Sequence, residues 1–232
     1  MIKYLSLFAV VWMINAENAQ SQNEKLYYAF DPLCGWCFAF SPELEKIADR
    51  YSDQLEIVVI SGGMVTGDRI GPIGETAPYI KEAYKTVEQS SDVKFGQPFL
   101  DHLFNEGSHV FSSVEPSIAL AVVKKLKPDQ AVKFASYLHQ AVYVDGLPPT
   151  DFNSYAGYAE KVGIDRETFL AQCENPEMKR KAEVDFQLSS SLGVSGFPTI
   201  IYSDGKDLQI ISRGYSTERE VSRRLDAVRR GR

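Results

Sequence analysis

Hydrophobic and polar positions follow two different periods in the early part of the chain, and each period predicts an element. Runs of mostly apolar residues, rich in aromatic and β-branched side chains, at 26–30 and 55–60, are typical of buried strands. Between them, over residues 37–51, apolar residues recur at helical spacing with charged residues on the opposite face. The chain therefore opens in the order β–α–β.

A glycine- and proline-rich segment comes next, and a long helical block follows it. No regular element is expected in residues 62–78, so this segment is predicted to be a connecting loop. From 79 to 192 the periodicity is helical, with no convincing strand. A capping box at Ser112 and Glu115 predicts the start of a helix that continues to about residue 126.

Prolines and glycines indicate the remaining boundaries in the helical block. Pro128 favours the start of a helix that extends to about Val144, and the segment 145–149 then interrupts the chain. Two shorter helices and a longer one over 176–192 are expected next. Gly193 is suited to end the last of these, because glycine readily adopts the left-handed conformation.

The strand pattern returns near the C-terminus. Apolar runs at 197–202 and 208–212 flank Asp204-Gly205, a dipeptide that favours a hairpin turn. A second capping box, at Thr217 and Glu220, predicts a C-terminal helix.

Two incomplete α/β segments are expected to combine into one sheet, because neither has enough strands alone. The predicted class is α/β, with one domain built from 22–62 and 193–232. Residues 63–192 would form the connecting loop and an inserted, all-helical subdomain.

The N-terminal residues 1–21 differ from the rest. Lys3 precedes an apolar stretch over 5–14, and small and polar residues follow, which is typical of a cleaved secretory signal peptide. Cleavage after Ser21 or Ala16 fits this pattern. An uncleaved anchor is the alternative, although the stretch is shorter than the roughly 20 residues that a membrane span needs. A periplasmic or secreted protein is expected, without stable membrane association after cleavage.

Charge excludes one class of partner. The chain carries 25 basic and 31 acidic residues and has a formal net charge of −6. A dedicated nucleic-acid-binding protein normally has a basic patch or stripe, so no nucleic-acid partner is expected.

The chain has three cysteines, Cys34, Cys37 and Cys173, which suggests one pair and one single thiol. The close pair stands where a strand leads into a predicted helix. A helix N-terminus favours the thiolate, which is the reactive form, so Cys34 is the predicted nucleophile. Cys37, inside the first turn, is the predicted resolving thiol of a redox-active disulfide.

Two other roles are known for a pair of cysteines at this spacing, a metal site and a structural disulfide. A zinc site usually needs four ligands, but there is no second CxxC, and the three histidines are scattered. No metal and no cofactor is therefore predicted. A static structural disulfide is the stronger alternative, while Cys173 is expected to be a small buried apolar residue. Several aromatic residues are expected in the core, although some could line a groove over the active site: Tyr79, Tyr84, Phe95, Phe99 and Phe104.

A second motif lies far from the cysteines. In Gly196-Phe197-Pro198-Thr199, a proline stands at the start of a predicted strand, a position that tolerates proline. With the segment from Asp31 to Cys37 and the glycines between Gly62 and Pro72, this motif resembles the DsbA family of the thioredoxin superfamily. The similarity is greatest to the FrnE-like branch of predicted protein-disulfide isomerases.

This resemblance implies a thioredoxin-like fold in which the Phe197–Pro198 bond is cis and lies beside the cysteines. It implies that Phe197, Pro198 and Thr199 bind the substrate, which would pair with the backbone as an added strand. The partners would be cysteine-containing exported proteins and a redox partner that reoxidises or reduces the dithiol. The enzyme would be a protein thiol–disulfide oxidoreductase or disulfide isomerase.

The dipeptide between the cysteines leaves the direction of electron flow open. Gly35-Trp36 is neither the Pro-His of typical DsbA nor the Gly-Pro of thioredoxin. The same fold is compatible with two other functions. One is a small-molecule enzyme similar to kappa-class glutathione transferases and hydroxychromene-carboxylate isomerases, which generally have serine at the first active position. The other is a non-catalytic binding protein. Loss of Cys34 or Cys37 would suggest that function, and both cysteines are present.

Overall fold

The structure is a computed structural model that describes residues 24–102 and 107–231, with only the backbone of 75–78. The predicted signal peptide, 1–21, lies outside the described residues. Within the part described, no helix is both long and apolar enough to cross a membrane.

Four strands form one mixed sheet: β1 (Lys25–Phe30), β2 (Glu56–Ser61), β5 (Thr199–Ser203) and β6 (Leu208–Arg213). Their order across the sheet is β2-β1-β5-β6. β1 pairs in parallel with β2 and antiparallel with β5, so strands from the two ends of the chain meet at the centre of the sheet. The predicted joining of two incomplete α/β segments and the α/β thioredoxin-like class are confirmed.

The hairpin between β5 and β6 forms where Asp204-Gly205 predicted it. Gly205 has a positive φ of 88°, and the carboxylate of Asp204 accepts hydrogen bonds from the amides of Lys206 and Asp207. The apolar pattern had predicted a strand that begins at residue 197, but β5 begins at Thr199. Phe197 and Pro198 therefore lie just before the strand.

Two helices pack beside the sheet. Helix α1 (Gly35–Tyr51) follows β1, and helix α9 (Glu218–Arg230) closes the chain and packs against α1. The capping box of α9 is confirmed, because the Thr217 hydroxyl accepts from the amide of Glu220 while the Glu220 carboxylate accepts from the amide of Thr217.

The helical block forms a layer against α1 and β2. The helices of the block are α2 (Ile73–Ser90), α3 (Gln97–Asp101), α4 (Val114–Leu126), α5 (Ala131–Tyr143), α6 (Asn153–Lys161), α7 (Arg166–Cys173) and α8 (Pro176–Ser191). Helix α5 packs on α1, whereas α4 and α8 pack together and α8 contacts β2. The predicted helix from Pro128 is a short 3₁₀ turn followed by α5.

The prediction of a loop over 62–78 is wrong in its second half. A 3₁₀ turn forms at Gly67–Arg69, and α2 begins at Ile73. Position 74 lies in the first turn of that helix, where the chain at Gly107 passes close by. A Cβ on Gly74 would lie only 2.9 Å from the Gly107 carbonyl oxygen. A tertiary contact therefore explains a glycine that helix propensity disfavours.

Two details of the helical block also differ from expectation. It contains a short strand, β4 (Val110–Phe111), which pairs with β3 (Gly71–Pro72) and is too brief to show alternation. The predicted capping box does not form, since the helix begins after Ser113 without a side-chain cap. The Ser113 hydroxyl donates instead to the carboxylate of Asp31, next to the cysteine pair.

A partly buried ion pair holds the block to the sheet. Lys124 of α4 contacts both carboxylate oxygens of Asp185 in α8, at 2.7 and 2.8 Å, and donates to the Val59 carbonyl of β2. Asp185 also accepts from the amide of Ser61, the last residue of that strand. These contacts fix the end of β2, from which the glycine segment leads toward the active site.

Candidate active site

The two cysteines occupy the first turn of α1, directly after the central strand. Cys34 is the N-cap residue, in extended conformation, and Cys37 lies in the first turn of the helix. Cys34 is 8% exposed and Cys37 is completely buried, so Cys34 alone is accessible to another molecule. This arrangement agrees with the predicted division into nucleophile and resolving thiol.

The surroundings give the two thiols opposite acidities. A hydrogen bond from the Cys37 thiol lowers the pKa of Cys34 despite burial, and the amides of Cys37 and Trp36 act in the same direction. Desolvation raises the pKa of Cys37 well above its ordinary value, and the neighbouring Cys34 adds to this shift. Cys34 is therefore the thiol that ionises first.

The predicted proline loop lies beside Cys34. The Phe197–Pro198 bond is cis, as the resemblance implied, and the Cys34 thiol donates to the Phe197 carbonyl oxygen at 3.6 Å. The Pro198 carbonyl accepts from the amide of Gly214 at 2.8 Å, while the Thr199 hydroxyl donates to the Gly196 carbonyl at 2.7 Å. Thr199 itself is buried and holds the loop from within.

The glycine segment provides the space in which Phe197 sits. A Cβ on Gly62 would lie 2.0 Å from the Phe197 ring, and one on Gly63 would lie 2.8 Å from the ring of Phe186. Real Cβ atoms do not approach so closely, so both positions require glycine while the rings remain in place. Gly62 and Gly63 thus leave room for two aromatic rings, one of which lies beside Cys34.

The dipeptide between the cysteines contacts two different parts of the chain. Gly35 faces the helical block, since a Cβ on Gly35 would meet the Phe95 ring at an ordinary contact distance of 3.6 Å. Trp36 is partly buried, and its ring centroid lies 6.3 Å from that of Tyr215, in the C-terminal segment. The insertion therefore borders one side of the candidate active site.

Of the aromatic residues expected in the core, Phe95 and Phe99 are buried. Tyr79 is instead 75% exposed and lines, together with Cys34, an apolar cavity of about 240 Å³. Phe104 lies outside the described residues.

Asp31 is the main site residue that the sequence analysis did not identify. Its side chain is fully buried and accepts from the amides of Leu33 and Met64 and from the Ser113 hydroxyl. Burial raises the pKa of Asp31, and these three donors oppose the shift. The sequence feature that could have identified Asp31 is its place as an acidic residue between an apolar strand and Pro32-Leu33.

His139 connects the insertion to the same turn. Its Nε2 atom lies 3.1 Å from the Asp31 carbonyl oxygen, so this nitrogen carries the proton, and Nδ1 lies 2.9 Å from the Ser41 hydroxyl. Burial lowers the pKa of His139 to about 4, which keeps the ring neutral near pH 7. His139 therefore positions the turn through neutral hydrogen bonds.

The remaining candidates lie away from the site. Cys173 is buried in the insertion, where desolvation raises its pKa to about 12, as expected of an unreactive thiol. His102 and His109 stack on each other in the insertion. Among the described residues, no group of three or more His, Cys, Asp or Glu side chains is placed to hold a metal ion.

We expect Cys34 to be alkylated by iodoacetamide at a lower pH than either other cysteine. Its depressed pKa gives a larger thiolate fraction near neutrality, and the rate rises with pH until the thiol is fully ionised. Mass spectrometry of the reduced protein after timed alkylation measures each site. Equal rates at Cys34 and Cys173 would contradict the assignment.

Replacing Gly62 with alanine should destabilise the protein by about 1–3 kcal/mol, because the new methyl group overpacks against the Phe197 ring. Gly196→Ala is the matched control, since its Cβ would meet nothing within 4 Å. Urea denaturation gives the free energy of unfolding of both variants. Similar values for the two would show that Gly62 does not hold the ring in place.

Comparison with known proteins agrees with this geometry. The family model described as a DSBA-like thioredoxin domain matches residues 26–217. A predicted protein disulfide isomerase from Nitrosomonas europaea has a similar structure, with a TM-score of 0.80 and 24% identity over 90% of this chain and 99% of that one. The cytosolic disulfide reductase DsbM from Pseudomonas aeruginosa gives 0.72 and 26%, covering 89% and 98% of the two chains.

One relative is named as an adapter protein and not as an oxidoreductase. The ClpXP adapter protein SpxH of Halalkalibacterium halodurans is 22% identical over 77% of this chain, and the match spans 58% of that protein's length. The family match is broader, because it covers most of this chain and includes both cysteines and the cis-proline loop. The chain belongs to the DsbA-like thioredoxin domain family, whose members are generally thiol–disulfide oxidoreductases.

Proposed function

We propose that this protein is an exported thiol–disulfide oxidoreductase that exchanges disulfides with cysteine-containing proteins through Cys34 and Cys37. The observation that carries the proposal is the pairing of an accessible, acidified thiol at a helix start with a buried, less acidic thiol in the same turn. A static disulfide would need no such difference in acidity or access.

The reaction begins when the Cys34 thiolate attacks one sulfur of a substrate disulfide. The substrate S–S bond breaks, a Cys34–substrate disulfide forms, and the other substrate sulfur leaves as a thiolate that takes a proton from water. Cys37 then loses its proton and attacks the Cys34 sulfur. The second substrate sulfur leaves, so the substrate is reduced as the Cys34–Cys37 disulfide forms, and the reverse sequence oxidises a dithiol.

The cis-proline loop supports binding of a protein substrate. The Phe197 carbonyl lies opposite the Cys34 sulfur, and the loop precedes β5, so an extended peptide can add its backbone along this segment. Pro198 has no amide proton, and its carbonyl is engaged by Gly214, which leaves the backbone around Phe197 as the pairing edge. Thr199 supports this edge from below.

A redox partner must return the dithiol to its starting state after each turnover. An oxidising partner would make the protein an oxidase, and a reducing one would make it a reductase or isomerase. We propose oxidase or isomerase activity, because the apolar N-terminal stretch favours an oxidising, exported setting. The structural relative DsbM is by contrast a cytosolic reductase.

A second candidate function is a non-catalytic adapter, which the similarity to SpxH favours. Adapter activity requires a surface and not a reactive sulfur. Cysteine variants therefore separate this function from disulfide exchange: binding by an adapter would survive Cys34→Ser, whereas exchange would not.

The Cys34–Cys37 disulfide should form reversibly in a glutathione buffer. Trp36 adjoins Cys37, and the one other tryptophan, Trp12, lies in the predicted signal peptide, so fluorescence of the protein without residues 1–21 reports on this pair. Titration of this fluorescence gives the reduction potential. Failure of the pair to oxidise or to exchange with any disulfide would overturn the proposal.

Variants of the two cysteines should behave differently with a disulfide substrate. Cys34→Ser should abolish exchange, while Cys37→Ser should accumulate a mixed disulfide on Cys34 because no resolving thiol remains. Non-reducing electrophoresis with mass spectrometry detects the adduct. Cys173→Ser is the matched control and should react as the parent does.

Export depends on residues 1–21 in this proposal. Deleting these residues should retain the protein in the cytoplasm, whereas the full chain should be processed and recovered outside it. Cell fractionation and N-terminal sequencing measure both results. An unprocessed full chain in the cytoplasm would contradict export and leave the exchange chemistry unaffected.

A further inference from the structure

The hydroxyl of Tyr28 lies in the interior of the protein without a hydrogen-bond partner among the described residues. Tyr28 belongs to the central strand β1, and its side chain is completely buried. A buried hydroxyl that forms no hydrogen bond costs free energy, whereas phenylalanine would fill the same space without this cost. Packing therefore explains the ring of Tyr28 but not its hydroxyl.

The ring of Tyr28 packs beneath the first turns of α1. It stacks on the ring of Phe30 in the same strand, with centroids 5.2 Å apart, and its centroid lies 5.6 Å from that of Phe40 in α1. Phe40 follows Cys37 by three positions, so the two side chains lie on the same face of the helix. Cys37 is buried in the same core cluster as Tyr28. Tyr28 and the resolving cysteine thus share one buried layer between the sheet and α1.

The acidity of Tyr28 depends on this neighbour. Burial raises the pKa of Tyr28 well above its ordinary value, and the Cys37 side chain raises it further through its charge and as a hydrogen-bond acceptor. The phenol therefore keeps its proton near neutral pH and faces the sulfur as a donor. A neutral thiol is a weak acceptor, which agrees with the absence of a hydrogen bond to Tyr28 while Cys37 is protonated.

Two other acceptors near Tyr28 are occupied when the mixed disulfide is resolved. Asp31 already accepts from three donors, and no hydrogen bond joins it to Tyr28 in the part of the chain that the structure describes. Cys34 is bonded to the substrate sulfur at this stage and carries no charge. The Cys37 thiolate is then the acceptor that the hydroxyl can serve.

We propose that the Tyr28 hydroxyl donates a hydrogen bond to the Cys37 thiolate while that thiolate resolves the mixed disulfide. The inference rests on the proposed function, because it concerns the second step of the same reaction. A hydrogen bond to the charged form increases the fraction of Cys37 that is ionised and able to attack.

The step is balanced without a further reactant. The Cys37 thiol gives its proton to water, and the thiolate attacks the Cys34 sulfur. The Cys34–substrate bond breaks as the Cys34–Cys37 bond forms, and the substrate sulfur leaves as a thiolate that takes a proton from water. Tyr28 retains its own proton throughout.

The test removes the hydroxyl and keeps the ring, in Tyr28→Phe. The probe is dithiobisnitrobenzoate, an aromatic disulfide that releases a coloured thiolate when a thiolate attacks it. All proteins carry Cys173→Ser, so that only Cys34 and Cys37 contribute. In stopped-flow absorbance, attack by Cys34 should release one equivalent at a rate that depends on the probe concentration. Resolution by Cys37 should release the second at a rate independent of it.

The second phase should be about three- to tenfold slower in Tyr28→Phe, while the first phase keeps the parent rate. A hydrogen bond to a charged group raises the thiolate fraction by about tenfold or more, and the lower nucleophilicity of a stabilised thiolate offsets part of this gain. The rate of the second phase should increase with pH in both proteins, with the midpoint displaced to higher pH in Tyr28→Phe.

Tyr155→Phe is the matched control. Tyr155 is also completely buried, but its hydroxyl donates to the Pro149 carbonyl within the insertion. Loss of that hydroxyl should lower the stability of the protein and leave both phases at the parent rates.

The outcomes separate the two proposals. A second phase at the parent rate in Tyr28→Phe would overturn the hydrogen bond and leave the exchange function intact. Slowing of both phases by the same factor, or equal slowing in Tyr155→Phe, would overturn it as well, because the hydroxyl would then act on the fold and not on Cys37. Absence of both phases in the parent would overturn the proposed function itself.

Discussion

The buried carboxylate of Asp31 joins three segments that are distant in sequence. It accepts from the amide of Leu33 in the turn before the cysteines, from the amide of Met64 in the glycine segment, and from the Ser113 hydroxyl at the start of α4. A fully buried carboxylate is costly unless it is hydrogen-bonded, so the three segments must be assembled together for it to be accommodated. The position of Cys34 depends on this assembly, because its amide donates to the Asp31 carbonyl oxygen.

Asp31 also links the acidity of the two cysteines to the helical insertion. The Asp31 carbonyl also lies within hydrogen-bond distance of His139 on α5, and the Asp31 charge opposes ionisation of both cysteines. The acidity of Cys34 is thus a balance in which hydrogen bonds from Cys37 and the helix amides outweigh burial and a nearby negative charge. The inserted block takes part in this balance, since it supplies two of the groups that fix the Asp31 turn.

The insertion also turns a thioredoxin-like sheet into a partly enclosed site. The Cys34 thiol donates to the Phe197 carbonyl, and Cys34 also lines an apolar cavity of about 240 Å³ together with Tyr84 and Val87 of α2. The insertion therefore adds an apolar surface next to the cysteine pair.

The local features of this protein were predictable from sequence because their physical basis is local. Apolar periodicity, the Asp204-Gly205 turn and the Thr217 capping box depend on residues within a few positions of each other, and the structure confirms them. The place of the CxxC at a helix start was predicted in the same way, and the structure confirms that place. The cis bond before Pro198 was expected from family resemblance, and not from its own sequence.

Only the tertiary structure decided the partners of Asp31 and the need for certain glycines, because these features depend on residues that meet only in the folded chain. A local capping box was predicted at Ser112, but the helix begins after Ser113, and the Ser113 hydroxyl binds Asp31, which lies 82 positions away. Gly62 owes its identity to the ring of Phe197, and the helix that contains Gly74 accommodates a crossing by Gly107. The sequence by itself determined that the two cysteines stand at the start of a helix and which elements surround them, because those patterns are local, whereas the buried acid beside them and the cavity next to them exist only through long-range packing.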